Sequence, residues 1–168
     1  MTQICDRRSF LTTSALTFAG GVAAAYPVPA LAVRPQPLRL SDAEWRRRLS
    51  PPAYAVLRQR RTERPFSSPL DHEHRPGAFT YTGCSLPLFS SRAKFDSRTG
   101  WPSFWTQAPN ATAEHRDATL GMIRTEVRCA RCNGHLGHVF NDGPKPTGLR
   151  YCINGVALRF APAQRTSS

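Results

Sequence analysis

The sequence lacks a long uninterrupted apolar run and is poor in acidic residues. Its most apolar stretch, near the N-terminus, is short and diluted by Thr, Ser and Gly, which argues against a membrane-spanning helix. Only 11 acidic residues stand against 23 basic ones, so the net charge is +12 and nucleic acid or an anionic membrane must be considered as a partner. The basic residues are scattered apart from "EWRRRL" and "RQRRTER", and neither run accompanies a base-stacking motif. We interpret them as a solvated basic face and expect no nucleic-acid partner.

The composition favours short strands and turns over long helices. The 168 residues suffice for one ordinary domain and include 15 Pro, 11 Gly and 9 Phe. Ser41 with Glu44 forms a capping box that predicts a short helix, and Ser50 followed by proline predicts a second. From Phe79 onward the pattern indicates strands broken by turns, except that residues 106–119 are polar and predicted to form a loop. The fold class is therefore mainly β, with two short helices before a small, mostly antiparallel domain.

The N-terminus resembles a twin-arginine export signal. Arg7 and Arg8 precede Phe10, Leu11 and a mildly apolar stretch, and Ala30–Ala32 offers a signal-peptidase site, with the earlier "AAA" as a competitor. The resemblance implies export to the periplasm or cell envelope of a bacterium, with no stable membrane anchor after cleavage. An uncleaved anchor is the alternative.

On this basis the chain divides into four parts. Residues 1–32 form the signal, 33–40 a proline-rich linker, 41–162 the domain and 163–168 a disordered tail. Cleavage would remove Cys5 and leave four thiols in an oxidising compartment, where a free thiol needs a reason to stay free. These four are Cys84, Cys129, Cys132 and Cys152.

Cys152 occupies an unusual position in "LRYCINGVALRF". The alternating pattern indicates a β-strand, and alternate residues of a strand point to the same face. Arg150, Cys152 and Asn154 are therefore expected to point together. A lone thiol would then lie between a cation and an amide.

The "CARC" segment places two thiols at a spacing that suits one tetrahedral metal ion. Cys129 and Cys132 supply half of such a site, and Cys84 supplies one more thiol, but Tyr81 stands where the other half would have its first cysteine. Three outcomes are open: a three-cysteine zinc site completed by water or a histidine, no metal, or a disulfide.

Two histidines follow at once in "HLGH". Four ligands within ten residues leave the chain little room to wrap a metal, so His135 and His138 need another role than zinc binding. They are either hydrogen-bonded structural histidines or proton donors near neutral pH. Residues three apart face opposite sides of a flat strand. If both serve one site, Gly137 must supply a bulge or a strong twist between them.

The "TGWPSFW" segment is rich in aromatic residues around a turn. Gly100 permits a tight turn and Pro102 fixes the backbone after it. Core packing is the ordinary role of such a cluster. A tryptophan held in this turn, Trp101, is also a suitable wall for a small apolar group such as a methyl.

Taken together, four segments resemble methionine-R-sulfoxide reductases of the MsrB type: "RPFSSPL", "KFDSRTGWPSFW", "GMIRTEVRCARCNGHLGHVFNDGP" and "PTGLRYCINGVALRF". The similarity extends from about residue 41 to residue 160. It implies a small domain of two antiparallel sheets preceded by helices. It also implies thiol-dependent reduction of methionine-R-sulfoxide in oxidised proteins, with a thioredoxin-like reductant and no organic cofactor. We expect a monomer.

The resemblance also implies roles for individual residues. Cys152 matches the nucleophile, and Trp101 matches the residue that packs against the S-methyl group of the substrate. Polar residues of the active-site network are matched by His135, His138, Asp142 and Asn154. We infer that Arg150 favours the thiolate of Cys152, that a histidine, His138 in the first instance, protonates the sulfoxide oxygen, and that Cys152 becomes a sulfenic acid.

Two positions depart from the family pattern. The family usually carries four zinc cysteines, whereas Tyr81 leaves three here: Cys84, Cys129 and Cys132. Many members have a resolving cysteine just before "GWPSF", where this chain has Thr99. Recycling would then use Cys84 or an external reductant. The competing hypotheses are a catalytically inactive zinc-binding β domain and a general thiol peroxidase, which would not need the wall formed by Trp101.

Overall fold

The computed structural model of the protein describes residues 34–164. The export signal predicted for residues 1–32, and residues 165–168 of the predicted tail, lie outside this range. Within it, no helix has both the length and the apolar character needed to cross a bilayer.

Two short helices come first, as predicted. Helix α1 spans Asp42–Arg48 behind the capping box of Ser41, and helix α2 spans Pro51–Gln59 behind Ser50. The Ser41 hydroxyl accepts from the Glu44 amide, and the Glu44 carboxylate accepts from the Ser41 amide, so two otherwise orphaned donors are satisfied. The apolar faces of the helices are buried through Trp45 and Leu57.

Within residues 34–164, nine strands form two antiparallel sheets, which confirms the predicted fold class. The smaller sheet has the order β2-β1-β9 and the larger the order β3-β4-β8-β7-β6-β5. The strands are β1 Gly77–Tyr81, β2 Pro87–Ser90, β3 Lys94–Phe95, β4 Ser103–Phe104, β5 Thr112–Asp117, β6 Arg124–Cys129, β7 His135–Phe140, β8 Arg150–Ile153 and β9 Leu158–Pro162.

Aromatic side chains pack the two sheets together. Phe89 of β2 stacks on Phe104 of β4 with ring centroids 4.3 Å apart, and Phe79 of β1 meets Phe104 edge-on at 5.0 Å. All three rings are buried. The core therefore lies between the sheets, and one of its central rings, Phe104, comes from the short strand that follows the Gly-Trp-Pro turn.

The structure corrects two details of the predicted strands. The predicted loop 106–119 contains strand β5, which pairs along its whole length with β6. Its sequence "TAEHRD" has no apolar alternation because it forms the edge of the sheet, so only the pairing reveals it. The predicted continuous strand around Cys152 is broken, since β8 ends at Ile153 and a turn of 3₁₀ helix, Gly155–Ala157, separates it from β9.

Candidate active site

Cys152 lies in a small cavity on the large sheet. Strand β8 is paired on both sides, and Cys152 faces Ser103 in β4 and His138 in β7. The cavity has a volume of about 120 Å³. It is lined by Thr62, Trp101, Arg124, Gly137, His138, Phe140, Cys152 and Asn154.

The thiol of Cys152 is partly buried between a hydroxyl and a guanidinium. The Thr99 Oγ1 atom lies 3.9 Å from the Cys152 Sγ atom. Burial raises the pKa of Cys152, and this effect outweighs the Thr99 hydrogen bond and the Arg150 charge, which lower it. Arg150 therefore favours the thiolate as expected, but the resting side chain is a thiol.

Strand β7 contains the bulge that the sequence required between its two histidines. Val127 pairs with Gly137 and Arg128 with His135, so Leu136 is the extra residue. The two histidine rings consequently meet edge-on, with centroids 5.6 Å apart. Gly137 is needed beside the bulge, because a Cβ at this position would overlap the carbonyl oxygen of Cys152.

A separate carboxylate orients each of the two histidines. The His138 Nε2 atom lies 2.8 Å from Asp117, and the His135 Nδ1 atom lies 2.8 Å from Glu126. Hydrogen bonds from Thr119, followed by that from His138, hold the pKa of Asp117 below its usual range. Since the carboxylate is ionised, the Nε2–H of His138 donates to it, and Nδ1 remains the nitrogen that can exchange a proton.

His135 has a different environment from His138. It is buried, and burial lowers its pKa despite the Glu126 hydrogen bond, so its ring is neutral. Although Glu126 is also buried, hydrogen bonds from Arg128 and His135 hold its pKa below the usual value. The structure thus brings His138 to the thiol cavity and places His135 behind it, in a neighbouring polar cavity of about 350 Å³ that both histidines line.

Trp101 is held at the cavity by a segment that the sequence did not single out. Its indole Nε1–H donates to the Glu63 carbonyl at 3.1 Å. The Glu63 amide donates to Asn154 Oδ1 at 2.8 Å, and the Glu63 carboxylate accepts from the Val156 amide at 3.1 Å. The Asn154 Nδ2 group donates to the Leu136 carbonyl at 2.9 Å. Both ends of the Asn154 amide therefore bind backbone, and Asn154 positions the site although it also lines the cavity.

Arg150 and Asp142 form a pair beside the thiol. The guanidinium binds both carboxylate oxygens, at 2.9 and 2.7 Å, and lies 4.4 Å from the centroid of the Phe140 ring. Asp142 itself is exposed and is absent from the residues that line the cavity. Its contribution therefore passes through Arg150.

Five residues of this site escaped the sequence reasoning: Thr62, Glu63, Asp117, Arg124 and Glu126. Asp117 is the last residue of edge strand β5, whose polar sequence predicted a loop. Glu63 acts largely through its backbone. Neither carries a local signal. Glu126 alternates with neighbours in "RTEVRC", but only the ladder with β7 shows that it meets a histidine.

Comparison with known proteins identifies the family. The SelR domain model matches residues 49–162. The chain belongs to the SelR (MsrB) family. It is 59% identical over 123 residues to the peptide methionine sulfoxide reductase MsrB of Bradyrhizobium diazoefficiens, an alignment that covers 73% of this chain and 88% of that protein. It is 54% identical over 123 residues to the MsrB of Agrobacterium fabrum, covering 73% and 91%. The MsrB of Thiobacillus denitrificans is 56% identical over 124 residues, covering 73% and 93%.

This MsrB-family chain brings three thiols together away from Cys152. The Sγ atoms of Cys84, Cys129 and Cys132 all lie within 4.8 Å of one another, and the three residues are buried. The separation of 3.6 Å between Cys84 and Cys129 is close to the edge of about 3.8 Å that zinc–sulfur bonds of ~2.3 Å give a tetrahedron. Three ligands therefore fit a metal ion. Within residues 34–164, no histidine, aspartate or glutamate joins the cluster as a fourth.

The same cluster bears on the alternatives left open for the cysteines. None of the four described cysteines forms a disulfide. Cys84 packs with Cys129 rather than in the cavity of Cys152, so the structure does not bring it to Cys152 as a resolving thiol. The side chain beside the Cys152 sulfur is instead that of Thr99, which has a hydroxyl in place of a thiol.

Proposed function

We propose that the protein reduces methionine-R-sulfoxide residues of oxidised proteins to methionine, with Cys152 as the nucleophile. The observation that carries this proposal is the meeting of a thiol, a carboxylate-held histidine and an aromatic wall in one cavity. Cys152, His138 and Trp101 all line it, and its volume of about 120 Å³ suits a side chain rather than a larger cofactor. A protein substrate would insert only its oxidised methionine.

The apolar side of the cavity binds the methyl group and the polar side receives the oxygen. Trp101 and Phe140 provide aromatic surface, and the Glu63 carbonyl fixes the plane of the indole. His138 and Arg124 lie on the polar side. A sulfoxide is pyramidal, with a methyl group, an oxygen and a chain on sulfur, so two unlike walls select one epimer.

The reaction transfers one oxygen atom and two electrons. The Cys152 thiolate attacks the sulfoxide sulfur while protonated His138 gives a proton to the oxygen. As the methionine sulfide leaves, the hydroxyl ends on Sγ, so Cys152 becomes a sulfenic acid and the sulfoxide becomes a thioether. A raised pKa reduces the thiolate fraction, but the thiolate of such a thiol is intrinsically the stronger nucleophile. Asp117 holds the His138 ring through its Nε2–H, as carboxylates do for catalytic histidines elsewhere, so the proton is given from Nδ1.

Regeneration of the thiol requires an external dithiol in this proposal. Such a donor attacks the sulfenic acid, releases water and leaves as a disulfide while Cys152 returns to the thiol. A thioredoxin-like protein has the required chemistry. Support comes from Thr99, a residue that cannot form a disulfide, as the side chain beside Cys152.

We infer further that the enzyme repairs proteins of the bacterial cell envelope as a monomer without a stable membrane anchor. The twin-arginine pattern around Arg7 and Arg8 supports the envelope location. Zinc has no part in the proposed steps, because the thiol cluster is separate from the cavity and Tyr81 stands at its fourth position.

The test compares wild type with Cys152→Ser on the separated R and S epimers of a blocked methionine sulfoxide, with dithiothreitol as the reductant. Only the wild type should act, and only on the R epimer. Circular dichroism verifies that the variant is folded. A folded wild type that reduces neither epimer would favour the inactive-domain hypothesis, and turnover by the serine variant would remove Cys152 from its role.

A further inference from the structure

The three thiols belong to two turns of the same conformation. We call Tyr81–Ser85 the first knuckle and Cys129–Asn133 the second knuckle. In the first, the Ser85 amide donates to the Tyr81 carbonyl at 2.8 Å, and in the second, the Asn133 amide donates to the Cys129 carbonyl at 2.9 Å. Ser85 and Asn133 share a left-handed backbone, with φ of 59° and 56°.

The equivalence of the knuckles extends one residue further. The Tyr81 amide donates to the Leu86 carbonyl at 2.8 Å, just as the Cys129 amide donates to the Gly134 carbonyl at 2.9 Å. Tyr81 therefore occupies in the first knuckle the position that Cys129 occupies in the second. Paired turns of this kind hold a metal ion between them when each provides two thiolates. Here one of the four positions carries a phenol.

The phenol of Tyr81 does not replace the missing thiolate. A cysteine sulfur is bonded directly to Cβ, whereas the tyrosine oxygen lies across the whole ring from Cβ, so the two atoms cannot occupy the same place. The Tyr81 side chain is fully buried, and its hydroxyl forms no hydrogen bond with any described residue, the three thiols included. The hydroxyl is thus an orphaned polar group beside the thiol cluster.

The ring of Tyr81 instead fills the space between the knuckles. A Cβ on Gly83, in the first knuckle, would lie 2.6 Å from a ring carbon, and a Cβ on Gly134, after the second, would overlap the hydroxyl. The absence of side chains at both glycines admits the ring. The ring is therefore packed against both knuckles, next to the three thiols.

Protein groups also connect the two knuckles directly. Arg131, within the second knuckle, donates from its guanidinium to the Cys84 carbonyl of the first at 3.1 Å. Arg58 of helix α2 donates to the Cys132 carbonyl at 3.2 Å and lies 4.7 Å from the centroid of the Trp45 ring. The Arg131 bond and the contact between the Cys84 and Cys129 sulfurs thus join the two knuckles, as a structural zinc otherwise does, and Arg58 ties the second knuckle to the helices.

We propose that Tyr81 makes this pair of knuckles independent of metal: its ring replaces the ion as the packing centre, and Cys84, Cys129 and Cys132 remain buried thiols. The three thiols fit a metal on their own spacing, but the fourth position does not. An otherwise metal-stapled turn pair is thereby closed by an aromatic side chain, a guanidinium and sulfur contacts. This inference is independent of the catalytic proposal.

Metal content provides the first test. The full chain is purified from zinc-supplemented cells under reducing conditions and analysed for zinc by mass spectrometry. Wild type should hold no stoichiometric zinc, and a chelator should leave its Tm unchanged. Tyr81→Cys should gain one zinc per chain and a Tm that falls with chelator. Tyr54→Cys, which adds a thiol at a buried tyrosine of helix α2, is the matched control and should gain none. Stoichiometric zinc in wild type would overturn the proposal, as would a folded Tyr81→Cys that binds none.

Tyr81→Phe provides a second test that does not depend on the folding of the cysteine variant. It keeps the ring and removes the orphaned hydroxyl, and because burial of an unpaired hydroxyl is unfavourable, the Tm should rise. If Tyr81 were instead a metal ligand, the same change would lower the Tm and reduce zinc affinity by at least about tenfold. A fall in Tm would therefore contradict the proposal.

Discussion

His138 faces Cys152 directly across the ladder between β7 and β8. Cross-strand neighbours on one face of an antiparallel pair have Cβ atoms about 5 Å apart, close enough for both side chains to contact one small substrate. The proposed proton donor and the proposed nucleophile are thus held by the main chain of two adjacent strands. The carboxylate of Asp117, on edge strand β5, accepts a hydrogen bond from His138.

We predict that His138→Asn lowers kcat by roughly 10²- to 10⁴-fold, the contribution expected of a general acid. Asp117→Asn should lower it less, because an amide can still contact the ring but no longer fixes which ring nitrogen carries the proton. His135→Gln is the comparison, since its ring is neutral and behind the cavity. Steady-state kinetics on a blocked R-sulfoxide measures all three. Equal losses for His135→Gln and His138→Asn would contradict the assignment of the acid.

The pKa of Cys152 predicts how its alkylation depends on pH. Because burial raises this pKa above the ordinary value, the thiolate fraction is small near neutrality and increases as pH rises through the raised pKa. The rate of reaction with iodoacetamide should therefore still be rising above about pH 8.5, the usual cysteine value.

Thr99→Val and Arg150→Met should each move this profile to higher pH, since each removes a group that lowers the pKa. Arg159→Met, which removes an exposed arginine from strand β9, serves as the control. A wild-type alkylation rate that stays constant from about pH 6 upward, well below the usual cysteine pKa, would show a thiolate at rest and contradict the prediction.

Thr99→Cys is predicted to give the enzyme an internal resolving thiol. The Thr99 Oγ1 atom lies 3.9 Å from the Cys152 Sγ atom, so a cysteine there can attack the sulfenic acid and form a disulfide with loss of water. Stoichiometric sulfoxide without reductant should leave a disulfide in this variant and a sulfenic acid in wild type, distinguished by intact mass after dimedone treatment. Ser97→Cys is the control, because the Ser97 hydroxyl contacts the Thr99 hydroxyl and is one step further along this chain from the Cys152 sulfur. Dimedone labelling of Thr99→Cys to the wild-type extent would count against this arrangement.

Trp101→Ala should abolish most sulfoxide turnover while Cys152 still reacts with iodoacetamide, because the indole binds substrate and does not activate the thiol. Trp101→Phe retains an aromatic face but loses the hydrogen bond to the Glu63 carbonyl, so its sulfoxide turnover should lie between that of wild type and that of Trp101→Ala. The ratio of sulfoxide turnover to alkylation rate separates the effects. A parallel loss of both would indicate that Trp101 acts on the thiol itself.

The residues marked by a local sequence pattern were predictable, and those brought to the site by long-range strand pairing were not. Cys152, Trp101 and His138 are each marked by a local pattern, and the need for a bulge beside Gly137 followed from the spacing of two histidines. Asp117 reaches His138 only because a polar edge strand pairs with β6. No hydrophobic period reports such a strand.

Asn154 shows a second limit of the sequence. Its spacing from Cys152 predicted a side chain on the same face, and both residues line the cavity, but the backbone of Glu63 and Leu136 takes up its amide. Backbone hydrogen-bonding demand within a loop is invisible in the sequence. The same holds for Glu63, which connects Trp101 to Asn154 largely through main-chain atoms.

The contact between Gly137 and the Cys152 carbonyl has a consequence for how this enzyme tolerates change. Around the cavity, side chains can exchange size because solvent or substrate occupies the difference. At Gly137 the neighbouring atoms belong to the main chain of Cys152, which cannot move away while β7 and β8 remain paired. One added methyl group would force β8 away from β7 and separate Cys152 from His138. Even this smallest of substitutions is therefore expected to disturb the site.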